Sequence, residues 1–165
     1  MTIPLPPLAR AALLGAATGI RSQLPLALLA RAVSRGELGG EGSPPPAWLQ
    51  HPRTARLTAL SAVGETIGDK LPFVPSRSSP GPLLGRVAFG GLVGWIAMRA
   101  EGEGALPGAA VGAAAGGLLA VAATKLRAAG VERTGLPDIA WGAGEDVVTL
   151  AVGLAALPSP RAVRS

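Results

Sequence analysis

The chain has 165 residues, of which 48% are hydrophobic and only 15% are charged, and its formal net charge is +5. A typical soluble domain carries about 25% charged residues, so this composition favours a membrane protein. The absence of cysteine excludes a disulfide framework, and the lack of a basic run or stripe argues against nucleic acid as a partner and for membrane lipids.

Five apolar segments bounded by Pro, Gly and Arg predict about five transmembrane helices in a single integral membrane domain over residues 1–165. In chain order the predicted helices cover about 8–33, 56–74, 83–98, 104–128 and 138–157, with an exposed proline-rich loop at 36–52. The fold class predicted from the sequence is therefore an all-α, polytopic membrane helix bundle.

The first segment contains a charge at depth and a helix-breaking residue close together. Arg21 lies well inside the segment, and Pro25 leaves the carbonyl of Arg21 without its helical hydrogen bond. This pattern predicts a broken helix beside a buried cation, as at transporter sites. The alternative is that the helix starts late or tilts, which would leave Arg21 at a boundary.

The second segment carries Glu65, Asp69 and Lys70 within six positions. Ionisable residues in a membrane segment tend to face a partner or a water-filled cavity. On a helix Glu65 and Asp69 would share one face, so one of them should keep its proton unless a cation lies between them. Alternatively, Asp69 and Lys70 lie at the membrane interface, because prolines follow closely.

Glycines spaced four residues apart recur in four of the segments and predict grooves for close helix contact. The pairs or triples are Gly15 and Gly19, Gly64 and Gly68, Gly90 and Gly94, and Gly108, Gly112 and Gly116.

A faint internal repeat relates the two ends of the chain. Residues 15–19 resemble residues 108–112, and Gly64-Glu65 resembles Gly144-Glu145. Because three predicted spans separate the starts of the two copies, helices 1–2 and 4–5 would form an inverted repeat, an arrangement that recurs in transporters.

No cofactor, metal or catalytic constellation is readable in the sequence. His51 is the only histidine and lies in the proline-rich loop, so no zinc site is indicated. A membrane enzyme that uses Glu65 and Asp69 as acid and base is conceivable, but no serine has a base at a readable spacing.

The chain resembles the bacterial integral membrane proteins of the domain of unknown function 4126 family. The residues that carry the resemblance are Gly19-Ile20-Arg21-Ser22, Gly68-Asp69-Lys70-Leu71-Pro72, Pro75-Ser76-Arg77, Arg86 and Glu145-Asp146. The resemblance implies a compact polytopic protein of the bacterial inner membrane, and it implies no assigned activity.

The charged residues of the segments together predict one intramembrane site for a substrate or for ion pairs. It comprises Arg21, Ser22, Glu65, Asp69, Lys70, Arg77, Arg86, Glu145 and Asp146. The expected function is binding or transport of a small polar or amphiphilic solute, such as a lipid headgroup, across the cytoplasmic membrane. The alternative is a structural or assembly protein without transport, whose buried charges are ion pairs.

The basic residues give no orientation in the five-span arrangement. Setting Arg21 aside leaves 14 of the 15 Lys and Arg residues, and seven fall on each side. The positive-inside bias is therefore absent. An even division permits insertion in both orientations and an antiparallel homodimer.

Overall fold

A computed structural model describes residues 5–38, 45–68 and 79–157. These residues form seven helices and no strand, which confirms the all-α fold class. The helices are α1 (Pro7–Ile20), α2 (Leu24–Ser34), α3 (Ala47–Gln50), α4 (Pro52–Gly68), α5 (Pro80–Ala100), α6 (Ala105–Thr134) and α7 (Asp138–Ala155).

Proline and glycine set most of the helix boundaries. Proline lies in the first turn of α1, α2, α4 and α5, where its missing N–H would have had no helical partner. At the other end of α6, Gly135 takes the left-handed conformation with φ 66° and donates its N–H to Val131 at 3.0 Å. The short link 135–137 then turns the chain into α7.

Helices α5 and α6 are antiparallel and lie against each other through glycines. Gly90 faces Gly112, and Gly94 faces Gly108, so residue numbers rise in opposite directions along the contact. A Cβ atom on any of these four glycines would overlap the backbone or a side chain of the neighbouring helix. The two backbones therefore approach to a distance that only glycine allows.

Helix α1 packs against the same glycine face of α6 as α5 does, but it runs parallel to α6. Gly15 faces Gly112, and Gly19 faces Gly116, so residue numbers rise together along this contact. A Cβ on Gly19 would lie 2.6 Å from the carbonyl oxygen of Gly116. The spacing of the glycines thus correctly predicted the close contacts of α1, α5 and α6.

The glycine pair of α4 behaves differently. Among the described residues, nothing lies within 4 Å of a Cβ built on Gly64 or Gly68. The predicted close contact is therefore not found at this pair. Helix α4 packs mainly on α2, and Ala62 is its one buried residue.

Helix α1 runs antiparallel to α7, as two contacts near its ends show. Near the start of α1, Arg10 donates to the carbonyl of Leu157, just beyond α7, at 3.5 Å. After the end of α1, Arg21 pairs with Asp146 in the middle of α7. The end of α7 thus lies beside the beginning of α1.

Helix α2 turns back alongside α7, so the predicted single helix at 8–33 is wrong. Arg21, just before α2, contacts Asp146 of α7, and Leu28, later in α2, packs against Gly153, later in α7. Helix α2 therefore runs parallel to α7 and antiparallel to α1. Residues 21–23 form the apex between two helices of opposite direction. The break at Pro25 was expected, but a proline that begins a new helix permits a full reversal, not only a kink.

The extra reversal also removes the basis of the predicted inverted repeat. Four long helices, α1, α2, α4 and α5, precede α6 and alternate in direction, so α6 runs the same way as α1. An inverted copy of α1 would have to run the opposite way. The structure therefore does not support inversion between helices 1–2 and 4–5 of the predicted set.

The other predicted boundaries that fall in the described residues lie within four residues of the observed ones, except that α6 continues to Thr134, six residues beyond its predicted end. The expected loop at 36–52 contains α3 and the first residue of α4, and its residues 39–44 lie outside the described part of the chain. Residues 69–74, the predicted end of the second helix, also lie outside it.

Two of the described helices, α5 and α6, are long and apolar enough to cross a membrane, with mean hydropathies of 1.3 and 1.7 over 18 residues. Helices α1 and α2 are apolar but shorter. The finding supports membrane association, and the predicted number of five spans is not confirmed.

We predict that Gly112→Ala lowers the unfolding temperature of the purified protein in detergent. The added Cβ would meet the carbonyl oxygen of Gly90, and such overpacking costs about 1–3 kcal/mol. Gly64→Ala is the matched control, because its Cβ would enter open space and alanine favours a helix over glycine. Equal unfolding temperatures for the two variants would contradict the close packing at Gly112.

Candidate functional site

The apex between α1 and α2 gathers charged side chains from three other helices. Arg21, Ser22 and Gln23 form the apex. Glu65 reaches it from the last turn of α4, Arg86 from α5 and Asp146 from α7. We call this group of residues the apex site.

The carboxylate of Glu65 lies over the start of α2. One of its oxygens, Oε1, accepts from the backbone N–H of Ser22 at 2.8 Å and from the hydroxyl of Ser22 at 2.7 Å. The other oxygen accepts from the backbone N–H of Gln23 at 2.9 Å. Gln23 is the N-cap residue of α2, and its N–H is one of the groups that have no partner within the helix. Glu65 therefore acts as a cap supplied by another helix, where the helix dipole also favours a negative charge.

The guanidinium of Arg86 lies over the end of α1. Its Nε donates to the carbonyl of Gly19 at 3.1 Å, and its Nη2 lies 3.5 Å from Oε1 of Glu65. Carbonyls in the last turn of a helix lack helical partners, and a cation there complements the dipole. Glu65 and Arg86 thus form an ion pair that caps both helix ends at the apex.

Arg21 connects the apex to α7. It is 1% exposed; its Nε donates to the carboxylate of Asp146, and its Nη2 donates to the carbonyl of Gly142 at 3.4 Å. The side chain of Asp146 is 27% exposed. The cation of this pair is therefore enclosed, whereas the carboxylate is accessible from outside.

Glu145 lies in a neighbouring cluster between α6 and α7. Its carboxylate pairs with Arg127 at 3.1 Å, and Arg127 also donates to the carboxylate of Asp138, with its Nε at 2.6 Å. Arg127 and Asp138 are not among the site residues predicted from the sequence. A recognisable signal was present, since the short link 135–137 forces α6 and α7 into a hairpin and brings these side chains together.

The structure brings five of the nine predicted site residues together at the apex. They are Arg21, Ser22, Glu65, Arg86 and Asp146. Glu145 belongs to the neighbouring cluster, and Asp69, Lys70 and Arg77 lie outside the described residues. The prediction of a proton shared between Glu65 and Asp69 therefore stays a prediction.

Backbone groups supply much of the site and were missed by the sequence analysis. The N–H of Gln23 and the carbonyls of Gly19 and Gly142 all bind charged side chains of the apex site. Their availability follows from helix ends and from close helix contact, so residue types alone do not reveal it.

Glu65 and Ser22 place a carboxylate and a hydroxyl side by side at the apex site. In residues 5–38, 45–68 and 79–157 no group of three or more His, Cys, Asp or Glu side chains could hold a metal ion. The hydroxyl of Ser22 is within hydrogen-bond reach of Glu65, the geometry that an acid–base enzyme would need. However, two backbone N–H groups and Arg86 engage the same carboxylate, so its geometry is that of a cap.

Comparison with known proteins gives no match. No family model matches the chain, and neither a curated protein nor a solved structure does.

We predict that Arg21 and Asp146 are energetically coupled. Arg21→Met and Asp146→Leu should each destabilise the protein, the second more strongly, because it removes the carboxylate partner of the more buried arginine. The double variant should be more stable than the sum of the two losses predicts, with a coupling of about 0.5–3 kcal/mol.

The matched control for this cycle is the exposed pair of Arg35 and Glu37, whose side chains are 54% and 47% exposed and 3.7 Å apart. Its coupling should stay below about 1 kcal/mol, because water screens both charges. Denaturant unfolding in detergent provides the measurement. Additive losses for Arg21 and Asp146 would show that this contact contributes nothing to stability.

Proposed function

We propose that the chain is a multi-pass protein of the cytoplasmic membrane. Its long helices present large apolar side chains outward, at exposures of 80% for Leu106, 74% for Leu118 and 69% for Leu60. Large apolar side chains exposed in this way are unfavourable in water and suited to lipid. The charge-free part of α6 (105–124) is about 30 Å long, which matches the hydrocarbon thickness of a bilayer.

The hairpin of α1 and α2 is compatible with a location inside the membrane. The two helices are about 21 Å and 16 Å long, so neither reaches across a hydrocarbon core of about 30 Å. An apex at that depth is tolerated only where protein or a water-filled cavity surrounds it. Here the side chains of α4, α5 and α7 surround it and bind its polar groups.

We infer that the apex site is a structural lock and that the chain is a non-transporting structural or assembly protein of the membrane. The observation that carries this inference is the carboxylate of Glu65, which receives three hydrogen bonds and the ion pair with Arg86. Its oxygen atoms face protein donors and leave little capacity for a solute. The same pair holds the ends of α1 and α2.

Binding or transport of a small polar or amphiphilic solute at the apex site is the second candidate function. The ion pair of Arg21 and Asp146 favours it, because the two side chains differ in exposure: Asp146 is partly exposed and Arg21 is enclosed. A solute with a hydrogen-bond donor could reach Asp146 without first breaking the cap at Glu65.

Membership in the domain of unknown function 4126 family also stays a proposal, as does a homodimer. In support of the family, Arg21, Ser22, Arg86 and Asp146, which contribute to the resemblance, meet at one site in the structure. The other part of the resemblance, at residues 69–77, lies outside the described residues.

We predict that Glu65→Gln lowers the unfolding temperature of the purified protein in detergent. The amide cannot form the ion pair with Arg86, and its NH₂ group would oppose one of the three donors at the apex. Breaking a buried ion pair from one side costs about 3–5 kcal/mol. Glu103→Gln is the control, because Glu103 is exposed and should tolerate the change.

The same variant separates the two functions. A Glu65→Gln protein that is as stable as wild type and loses uptake or binding of a solute would refute the structural lock and support transport. If Asp146→Asn lowers the unfolding temperature as much as Glu65→Gln does, the pair of Arg21 and Asp146 also has a structural role and ties α7 to the apex.

The membrane location has its own test. After expression in a bacterial host, the protein should stay in the membrane pellet during extraction with alkaline carbonate, because its exposed apolar side chains are embedded in lipid. Release into the supernatant would refute an integral membrane protein.

A further inference from the structure

A groove between α2 and α4 shares no lining residue with the apex site and has a volume of about 750 Å³. It follows both helices along their antiparallel contact. Apolar side chains, including Leu28, Val63 and Ile67, line it toward the apex. The volume falls within the range of about 300–1,000 Å³ that holds small-molecule ligands.

The other end of the groove is cationic. Arg31 reaches it from the last turn of α2, Arg35 from the residue that follows α2, and Arg56 from the first turns of α4. Among the described residues, 14 line the groove and none of these is acidic. Arg35 has Glu37 as a neighbour at 3.7 Å, whereas no carboxylate of the described residues lies within ion-pair distance of Arg31 or Arg56.

From this separation of charge and apolar surface we propose that the groove binds an anionic phospholipid. The phosphate would lie between Arg31 and Arg56, and one acyl chain would extend along α4 toward Ile67. Guanidinium groups match phosphate oxygens in geometry and charge. Eleven residues separate Arg56 from Ile67, which corresponds to about 16 Å of helix for the chain to follow.

The exposed surface of α4 makes a membrane lipid the fitting occupant. Leu57 and Leu60, beside the groove, are 66% and 69% exposed, so in a bilayer acyl chains would already contact this helix. The groove then continues the lipid environment into the protein, with its cationic end at headgroup level. This proposal assumes the membrane location proposed above and is independent of the role of the apex site.

The distribution of basic residues agrees with a lipid headgroup at this end. The described part of the chain places six arginines at the end of the bundle where α1 begins, against three glutamates, Glu37, Glu101 and Glu103. The six are Arg10, Arg31, Arg35, Arg53, Arg56 and Arg99. An excess of arginine is typical of the cytoplasmic face, whose anionic lipids attract it.

The test compares two phospholipids that differ only in the headgroup. Dioleoyl phosphatidylglycerol and dioleoyl phosphatidylcholine are titrated into the full-length protein in a neutral detergent, and binding is followed by native mass spectrometry and by unfolding temperature. We expect phosphatidylglycerol to bind at least tenfold more tightly and to raise the unfolding temperature. Equal binding of the two lipids would overturn the proposal.

Two variants test the two ends of the groove. Arg31→Gln with Arg56→Gln should reduce the affinity for phosphatidylglycerol at least tenfold, whereas Lys125→Gln with Arg133→Gln, which removes the same charge elsewhere, should not. Val63→Trp should fill the apolar part and block binding. The control for it is Leu60→Trp, at an exposed position outside the groove.

Each result has a defined meaning. Unchanged preference for phosphatidylglycerol in the arginine variant or in Val63→Trp would place the lipid elsewhere and refute the groove. Failure to stay in the membrane during carbonate extraction would instead refute the proposed membrane location. A membrane-embedded protein without headgroup preference would leave that location intact and remove only the lipid site.

Discussion

The fold depends on how the chain compensates the polar backbone at the apex between α1 and α2. A reversal inside a bundle exposes the carbonyls that end one helix and the N–H groups that begin the next, and each costs free energy if buried alone. The ion pair of Glu65 and Arg86 supplies hydrogen-bond partners to both kinds of group. The carboxylate accepts from N–H groups at the start of α2, and the guanidinium donates to a carbonyl at the end of α1. Two helices distant in sequence thereby fix the hairpin.

Glycine allows this pair to reach the apex. Because α1, α5 and α6 approach at backbone distance, Thr18 lies against both α5 and α6, and a Cβ on Gly116 would lie 2.8 Å from the carbonyl of Arg86. Wider helix spacing would move Arg86 away from Gly19 and Glu65. Close packing and the ion pair therefore support each other, and α7 attaches to this centre through Arg21 and Arg127.

Local features were predictable where they depend on a few neighbouring residues. Pro25 predicted the break, and the spacing of Gly108, Gly112 and Gly116 predicted the contact face of α6. The direction of α2 was not predictable in the same way, because a kinked helix and a hairpin have the same local pattern of proline and polar residues. That one error gave the wrong relative direction of α1 and α6 and with it the inverted repeat.

The sequence by itself determined the helical fold, the apolar surface, the break at Pro25 and the choice of the charges at the apex. Only the tertiary structure decided the pairing, which joins Glu65 to Arg86 and Arg21 to Asp146 while Glu145 binds Arg127. The physical reason is that composition and spacing report the environment that each segment needs. The partner of a buried charge instead depends on helix direction and separation, which contacts distant in sequence establish.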